Sequence, residues 1–307
     1  MRILVCGANG QVGREIVDRA PAAGVDVLAT TRQTFDITQP RQVESLFERE
    51  RPELVINAAA FTHVDNAETH SKEAYAINRD GPACLARLCA QADVPLFHLS
   101  TDYVFAGDAN VPYKESDPTG PTGVYGASKL AGEQRIQAAC PHHLILRTSW
   151  VYGVHGHNFV KTMLRLGAQR RALSVVADQL GCPTHAGSIA DVLLTLARRY
   201  REEGRLAWGF YHYSGTPACS WYDFANEIFD QGHAQGLLAV KPSVSPINTD
   251  QYPTPARRPA WSVMDCSLFE NAFGLQPDDW RSSLASVVAE LGRQAAEDRG
   301  APKRSHA

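Results

Sequence analysis

The first half of the chain alternates short apolar runs with segments whose apolar residues recur at helical spacing. Such runs predict buried strands, and the segments between them predict helices. The predicted strands cover 3–6, 25–29, 54–58, 95–99 and 144–146, and the predicted helices cover 11–20, 41–51, 73–91 and 124–140. Because the strands are largely apolar rather than alternating, both faces of their sheet must be covered, which is typical of a parallel sheet.

This alternation predicts a Rossmann-type α/β fold, a doubly wound parallel sheet, in residues 1–150. The second half is less regular. A strand at 172–177 and a helix at 188–200 predict that residues 172–200 also join the first domain. The rest of 151–307, rich in aromatic residues and proline, predicts a smaller, mixed substrate-binding lobe. The residues from about 294 onward are polar and lack periodicity, which predicts a frayed tail.

Composition narrows the function classes. The chain has 307 residues, 44% hydrophobic and 21% charged, which is ordinary for a globular protein and excludes a disordered chain. A net charge of −3 without a block of Lys and Arg gives no basis for nucleic-acid binding. No apolar run reaches the ~20 residues that a membrane helix needs. Seven cysteines without a C-x-x-C pair argue against a disulfide framework or a zinc site and favour a cytoplasmic protein.

A glycine-rich turn follows the first strand. Gly7, Gly10 and Gly13 give the pattern G-x-x-G-x-x-G, with Gln11 and Val12 opening the next helix. Glycines allow a tight turn and a close approach of backbone to pyrophosphate, and the helix N-terminus presents N–H groups to the phosphates. We predict a dinucleotide site here. A turn with a purely structural role is the alternative.

The second strand ends near Arg32 without an Asp or Glu for the adenosine ribose. An arginine at this place suits a 2′-phosphate, so we expect NADPH to be preferred over NADH. Arg32 as a solvated surface charge is the alternative. Asp36 and Ile37 follow; the acid either contacts the adenine or caps the next turn. The small residues at 57–62 let a dinucleotide lie close to the backbone, although tight helix–sheet packing would also select them.

Tyr125 and Lys129 lie four residues apart in a predicted helix, so they share one face. A nearby ammonium favours the phenolate, so we expect it to lower the pKa of the tyrosine and prepare it for proton transfer to a carbonyl oxygen. A helix surface pair is the alternative. Thr101 and Asp102 follow the strand at 95–99, at the edge where open α/β sheets bind ligands. Leu99 is predicted to lie under the nicotinamide. A turn cap is the alternative for Thr101 and Asp102.

At this point the chain resembles the extended short-chain dehydrogenase/reductase superfamily and, within it, the dTDP-4-dehydrorhamnose reductase family. The likeness runs from residue 1 to about 291. It is carried by the glycine turn at 7–13, N-A-A-A at 57–60, S-T-D-Y-V-F at 100–105, Y-G-A-S-K-L-A-G-E at 125–133, R-T-S-W-V-Y at 147–152, N-F-V-K-T-M-L at 158–164, D-Q-L-G-C-P-T at 178–184 and Y-P-T-P-A-R-R-P at 252–259.

The resemblance implies that hydride passes from NADPH or NADH to C4 of dTDP-4-dehydro-β-L-rhamnose. Tyr125 would donate the proton, and Lys129 would tune the acidity of Tyr125 and hold the nicotinamide ribose. Thr101 would form a hydrogen bond near the substrate oxygen. Arg257 or Arg258 would neutralise the diphosphate, with a salt bridge between lobes as the alternative. The other positions that the resemblance assigns are Asp102 and Trp150 at the sugar, and Gly10, Gln11, Val12, Asp36, Ile37, Ala60, Phe61 and Thr62 at the cofactor.

Relatives in this family hold Mg²⁺ between subunits through glutamates. Glu15 and Glu290 match two of these positions, but Gly187 replaces a third. The loss of an oxygen ligand makes metal binding doubtful. We therefore expect activity without added metal, and either a monomer or a homodimer.

Two alternatives remain open at this level, and the residues argue against a third, a 4,6-dehydratase. A reductase or epimerase of another nucleotide-deoxysugar would use the same motifs. A 4,6-dehydratase needs an acid/base carboxylate beside the Thr-Asp pair, where this chain has Tyr103. A non-catalytic NADP-binding regulatory subunit is the alternative outside enzymes, and the presence of Tyr125, Lys129 and Thr101 together argues against it.

Overall fold

The computed structural model describes residues 1–300, with side chains described as far as residue 297. Its strands are β1 (Arg2–Cys6), β2 (Asp26–Thr30), β3 (Leu54–Asn57), β4 (Leu96–Thr101), β5 (His143–Thr148), β6 (Val151–Tyr152), β7 (Ala172–Val176), β8 (Leu180–Gly181), β9 (Thr184–His185), β10 (Gly209–His212), β11 (Cys219–Ser220) and β12 (Ser243–Ile247). Its α-helices are α1 (Gln11–Arg19), α2 (Pro40–Glu50), α3 (Val64–Thr69), α4 (Ser71–Tyr75), α5 (Gly81–Ala92), α6 (Val124–Ala139), α7 (Phe159–Gln169), α8 (Ala186–Glu203), α9 (Trp221–Ala234), α10 (Ser267–Phe273) and α11 (Trp280–Gly300).

The first lobe is built on a six-stranded parallel sheet in the order β10-β5-β4-β3-β1-β2. The strand order reverses between β1 and β3, so their carboxyl ends diverge and leave a crevice. The predicted doubly wound α/β fold is confirmed.

Alternation along each strand sends side chains to two separate cores. Ile3 and Val5 of β1 face a core with α1 and α8, whereas Leu4 and Cys6 face a core with α2, α5 and α6. The side chains of all four residues are fully buried. Burial on both faces explains why these strands are apolar runs in the sequence rather than alternating ones.

The predicted helix at 73–91 was wrong as a single helix. It comprises α4, a π-helical turn over Ala76–Asp80, and α5 with Pro82 near its start. Proline lacks an N–H and is tolerated in the first turn of a helix but not in its interior, so the α-helical hydrogen bonding is interrupted here. The predicted strand at 95–99 was also too short, because β4 continues through Thr101.

The second half divides differently from the prediction. The strand β7 pairs with β12 outside the main sheet, so it does not extend the first-lobe sheet as expected. The helix α8 does pack against α1, and β10, which the sequence placed in the second lobe, forms the edge of the main sheet beside β5. The boundary near residue 150 stays a prediction.

The second lobe is more helical than predicted, because α7, α9 and α11 enclose an aromatic core around Phe224 and Trp280. The prediction of a frayed tail from about 294 was wrong for residues up to 300, since α11 continues to Gly300. Alanines such as Ala295 and Ala296 extend a helix whose earlier turns are anchored by packing. Residues 301–307 of the predicted tail lie outside the described residues. Within the described chain, no helix combines the length and apolarity required to cross a bilayer.

Candidate active site

A cavity of about 480 Å³ opens where β1 and β3 diverge. Its walls come from the glycine turn after β1, the loop after β2 and the loop after β3. The lining includes Gly7, Gly10, Arg32, Asp36, Ile37, Ala60, Phe61 and Thr62, all of which the sequence assigned to cofactor binding. The crevice at a strand-order switch point is where open α/β sheets bind nucleotides.

The glycine turn is tight enough to require glycine at two positions. Gly7 has φ +80°, and a Cβ there would lie 2.6 Å from the backbone nitrogen of Ala59. A Cβ on Gly13 would lie 2.2 Å from the carbonyl oxygen of Gly7. Any side chain at either place would push β1, β3 and α1 apart and close the space beside the turn.

The N-terminus of α1 faces this space without a side-chain cap, because Gly10 is its N-cap residue. Uncapped N–H groups and the helix dipole favour a phosphate here. The side chain of Gln11 points elsewhere: its Oε1 accepts from Asn158 at 2.9 Å in the second lobe. The side chain of Val12 is buried in the core. Gln11 and Val12 can therefore contact the cofactor only through their backbone atoms.

Arg32 extends from the loop after β2, and its Nη2 lies 3.1 Å from a carboxylate oxygen of Glu73. Its side chain is 68% exposed, so a phosphate can reach it. Asp36 makes the local turn that was its alternative role, since its Oδ1 accepts from the backbone nitrogen of Thr38 at 2.9 Å and from the Thr38 hydroxyl at 2.7 Å. Its other carboxylate oxygen remains available beside the cavity.

Asn78 joins the cofactor loop to the predicted catalytic helix. Its side-chain oxygen accepts from the backbone nitrogen of Phe61 at 2.8 Å, and its side-chain nitrogen donates to the Ser128 hydroxyl at 3.0 Å. The Ser128 hydroxyl in turn donates to the carbonyl oxygen of Tyr125 at 2.8 Å. Asn78 is fully buried in the π-helical turn. Nothing in the sequence marks this turn, so Asn78 was not predicted as a site residue.

The helix α6 carries Tyr125 and Lys129 and lies very close to its neighbours. A Cβ on Gly126 would lie 2.1 Å from the carbonyl oxygen of Tyr103, and a Cβ on Gly132 would lie 2.0 Å from that of Asn78. The two glycines therefore allow α6 to press its first turns onto the end of β4 and onto the π-helical turn.

Thr101 ends β4 and meets Tyr125 at the carboxyl edge of the sheet. The Thr101 hydroxyl donates to Oδ1 of Asp102 at 2.9 Å and accepts from the backbone nitrogen of Tyr103 at 3.2 Å. It therefore makes the predicted turn cap as well as facing the site. Burial raises the pKa of the Asp102 carboxyl to about 6, against the hydrogen bond from Thr101.

The ammonium of Lys129 does not lower the pKa of Tyr125 in this structure. Burial raises the pKa of the Tyr125 phenol well above its usual value, with a smaller opposite effect from the Thr101 hydroxyl. The expected activation of Tyr125 by Lys129 was therefore wrong for the cofactor-free protein. Sequence spacing places two side chains on one face, but burial and hydrogen bonding decide the pKa.

Lys129 is buried and its hydrogen bonds go to β4. Its Nζ donates to the carbonyl oxygen of Leu99 at 2.6 Å and lies 3.3 Å from Nε2 of His98. Burial lowers its pKa to about 8, while Glu133 acts in the opposite direction. The Glu133 carboxylate forms a buried bidentate pair with Arg147 of β5 at 2.9 and 2.7 Å. His98 was not predicted as a site residue, because no motif distinguishes it from an ordinary core residue.

Trp150 lies just past β5 on the second-lobe side. Its φ of +45° is rare for a large side chain, and its ring stacks on Trp221 with centroids 3.5 Å apart.

Of the two arginines proposed to neutralise the diphosphate, Arg258 instead forms the salt bridge between lobes, because its Nη2 pairs with Asp65 of the first lobe at 2.5 Å. Arg257 is exposed and has no ion pair within the described residues.

The two glutamates that match metal positions of the family are already paired with arginines. Glu15 lies 3.0 Å from Arg19, and Glu290 pairs with Arg293. A Cβ on Gly187 would lie 2.3 Å from Nη2 of Arg19, so the guanidinium occupies the space of a third acidic side chain. These residues do not fit a Mg²⁺ ion, which takes oxygen ligands free of competing cations.

Comparison with known proteins agrees with this geometry. The family model described as "RmlD substrate binding domain" matches residues 1–293. A dTDP-4-dehydrorhamnose reductase of Aggregatibacter actinomycetemcomitans is 44% identical over 94% of this chain and 98% of its own length. The crystal structure of a dTDP-4-dehydrorhamnose reductase from Clostridium acetobutylicum superposes with a TM-score of 0.88 and 39% identity, covering 95% of this chain and 99% of the other.

The dTDP-4-dehydrorhamnose reductase of Bacillus anthracis, solved in complex with NADP, superposes with a TM-score of 0.87 and 36% identity. The match covers 94% of this chain and 99% of that one, so both lobes are shared. The chain therefore belongs to the RmlD family, the family of dTDP-4-dehydrorhamnose reductases, which are NAD(P)H-dependent oxidoreductases.

Proposed function

We propose that the protein reduces the C4 keto group of dTDP-4-dehydro-β-L-rhamnose with NADPH or NADH, giving dTDP-β-L-rhamnose. One observation carries the proposal. A crevice lined by the predicted cofactor residues and a Tyr-Thr pair both lie at the carboxyl edge of one parallel sheet, in a chain of the RmlD family. A hydride donor and a proton donor are the two groups that ketone reduction requires.

The cofactor site is formed by this chain's own groups. The uncapped N-terminus of α1 holds the pyrophosphate, and the glycines at 7, 10 and 13 let it approach. Arg32 pairs with the 2′-phosphate of NADPH, because its guanidinium is exposed at the rim of the crevice. The cofactor would supply the hydride, and Leu99 of β4 would contact its nicotinamide.

Tyr125 donates the proton to the carbonyl oxygen. Its raised pKa keeps the phenol protonated at neutral pH, which suits an acid rather than a base. Thr101 is fixed by the end of β4 and orients the same oxygen. Lys129 holds the nicotinamide ribose from the floor of the site.

The substrate lies between the lobes. The stacked pair of Trp150 and Trp221 forms an apolar wall on the second-lobe side. Asp102 hydrogen-bonds a sugar hydroxyl, and Arg257 neutralises the diphosphate because it is the exposed arginine of its segment without an ion pair in the described chain. A cytoplasmic location and a monomeric or homodimeric state stay predictions from the sequence.

The absorbance of NADPH tests the proposal. Addition of dTDP-4-dehydro-β-L-rhamnose should make it fall, and NMR of the product should identify dTDP-β-L-rhamnose. A flat trace with bound NADPH would instead mark a regulatory binding subunit. Faster turnover of another nucleotide keto-sugar would assign the protein to a neighbouring reductase, and product epimeric at another carbon would assign an epimerase.

A further inference from the structure

His98 is a buried histidine that the proposed reaction does not use. It lies in the middle of β4, fully inaccessible to solvent, between Asn57 of β3 and Lys129 of α6. Each of its ring nitrogens faces one of these side chains. Its protonation pattern therefore bears directly on Lys129.

The hydrogen-bond directions around His98 are set by a backbone amide. The N–H of Ala59 donates to Oδ1 of Asn57 at 3.1 Å, which fixes the orientation of the Asn57 side-chain amide. The Asn57 nitrogen, Nδ2, then lies 3.1 Å from Nδ1 of His98. An amide nitrogen can only donate, so Nδ1 must accept, and the neutral ring carries its proton on Nε2.

The Nε2–H of His98 points at Nζ of Lys129, 3.3 Å away. An ammonium has donors only, so it would face this N–H donor to donor. A neutral amine has one lone pair and can accept from Nε2–H while it donates to the carbonyl oxygen of Leu99. We propose that His98, with its tautomer fixed by Asn57, is a positioning residue that disfavours the ammonium of Lys129 and so shifts it toward the neutral amine in the cofactor-free protein.

The other charged groups around Lys129 do not overturn this arrangement. Glu133, one turn further along α6, favours the ammonium, but its carboxylate is shared with Arg147. Asp102, directly after β4, has no interaction with Lys129 in the described chain, and burial raises its own pKa. Burial itself lowers the pKa of Lys129 to about 8 and that of His98 well below its usual value. The inference concerns the free protein and stands whichever sugar is reduced.

The tautomer of His98 can be measured without any ligand. In protein labelled with ¹⁵N-histidine, the His98 ring should show an unprotonated Nδ1 and a protonated Nε2 from pH 6 to 9. The ring is assigned through nuclear Overhauser contacts with Leu99 and Lys129, so no variant is needed. The opposite tautomer, or an imidazolium, would overturn the proposal.

The second measurement is an NMR titration of Lys129 in the His98→Gln variant. Glutamine can present its carbonyl oxygen to Nζ and so accepts from an ammonium, which should raise the pKa of Lys129 by about one unit or more. His143→Gln is the matched control, because His143 is a buried histidine on the adjacent strand, bonded to the Cys140 carbonyl. An unchanged pKa in folded His98→Gln, or an equal rise in His143→Gln, would contradict the proposal.

Discussion

Single side chains at the carboxyl edge of the sheet carry the proposed chemistry. Tyr125 lies beside Tyr103, with ring centroids 5.5 Å apart, and both phenols have raised pKa values because they are buried. Of the two phenol hydroxyls, that of Tyr125 faces the Thr101 hydroxyl, whereas that of Tyr103 faces Arg258 at 3.5 Å. The position of its hydroxyl, and not a lower pKa, therefore makes Tyr125 rather than Tyr103 the proposed proton donor.

Tyr125→Phe should lower kcat by about 10²–10⁴-fold, the usual contribution of a positioned acid, and leave NADPH affinity unchanged. Steady-state kinetics and cofactor titration measure both. Tyr103→Phe is the matched control and should lose far less. Near-normal turnover in Tyr125→Phe, or an equal loss in Tyr103→Phe, would place the proton donor elsewhere.

Arg32 sets the proposed preference between cofactors. Arg32→Ala should weaken binding of NADPH by at least about tenfold and of NADH hardly at all, because one charge-assisted contact with the 2′-phosphate is lost. Glu73→Gln should instead strengthen binding of NADPH, since the Glu73 carboxylate competes with the 2′-phosphate for the Arg32 guanidinium. Equal losses of affinity for the two cofactors would show that Arg32 is an ordinary surface charge. Fluorescence titration with each cofactor provides the comparison.

At this scale the sequence predicted which residues meet but not their protonation. The spacing of Tyr125 and Lys129 correctly put them on one helix face. The hydrogen bonds of Lys129 to β4 and the raised pKa of Tyr125 depend on burial, which spacing does not report. His98 was not predicted because a lone polar residue inside an apolar segment has no periodic signal, and Asn78 was not predicted because nothing in the sequence marks the π-helical turn.

Elements meet in this site where glycines remove the side chains between them. Gly7 and Gly13 bring α1 onto the ends of β1 and β3, and Gly126 and Gly132 bring α6 onto β4 and the π-helical turn. The crevice and the Tyr-Thr pair both depend on these contacts. Close packing of this kind leaves no room for an added methyl group.

Gly7→Ala should destabilise the protein by about 2–4 kcal/mol. About 1 kcal/mol comes from the positive φ, and about 1–3 kcal/mol from the overlap with Ala59. Gly24→Ala is the matched control: its φ is +65°, but a Cβ there meets nothing within 4 Å, so only the first contribution applies. Urea denaturation measures both, and equal losses would contradict the close approach at Gly7.

The buried pair between Glu133 of α6 and Arg147 of β5 should be strongly sensitive to loss of one partner. Glu133→Gln leaves an uncompensated buried guanidinium and should cost about 3–5 kcal/mol of stability. Glu44→Gln is the control, because Glu44 of α2 pairs with Arg87 of α5 on the surface, and its loss should cost less than about 1 kcal/mol. A loss below about 1 kcal/mol in Glu133→Gln would contradict the account.

Periodicity predicted the elements of the first lobe closely and those of the second poorly. The inner strands of the main sheet, β1, β3, β4 and β5, are buried on both faces and so appear as apolar runs. The interruption after Tyr75 arises from a π-helical turn that fits the same apolar pattern as a straight helix. The short strands β6, β8, β9 and β11 have two residues each, too few for a pattern.

The whole molecule places its substrate site between two lobes that interlock. Arg258 from the second lobe pairs with Asp65 from the first, and Asn158 bonds Gln11 across the same boundary. The chain crosses between lobes again to place α8 and β10 in the first lobe. Reacting groups held by different lobes stay aligned only while such contacts persist.

Asp65→Asn should raise KM for the nucleotide sugar by about tenfold and lower kcat by less. The reason is that Arg258 would no longer hold the second lobe in register with the first. Asp26→Asn is the control, since Asp26 pairs with Arg2 on the surface of a single lobe. An unchanged KM would show that the bridge between lobes does not position the substrate. Initial-rate kinetics at saturating NADPH give the comparison.

The sequence predicted two lobes and their approximate order but not how the chain passes between them. Nothing in the 209–212 segment distinguishes an edge strand of the main sheet from a strand of the second lobe, because strand order is decided by long-range pairing. The resemblance to a family supplied the substrate class, which neither periodicity nor spacing contains.

Transfer of deuterium tests the central claim most directly. The protein is incubated with NADPH carrying deuterium at the transferable C4 position and with dTDP-4-dehydro-β-L-rhamnose, and the product is examined by NMR. The account predicts one deuterium on C4 of the sugar in dTDP-β-L-rhamnose. Product without deuterium at that carbon, or no product while NADPH is bound, would contradict reduction of this ketone by hydride transfer.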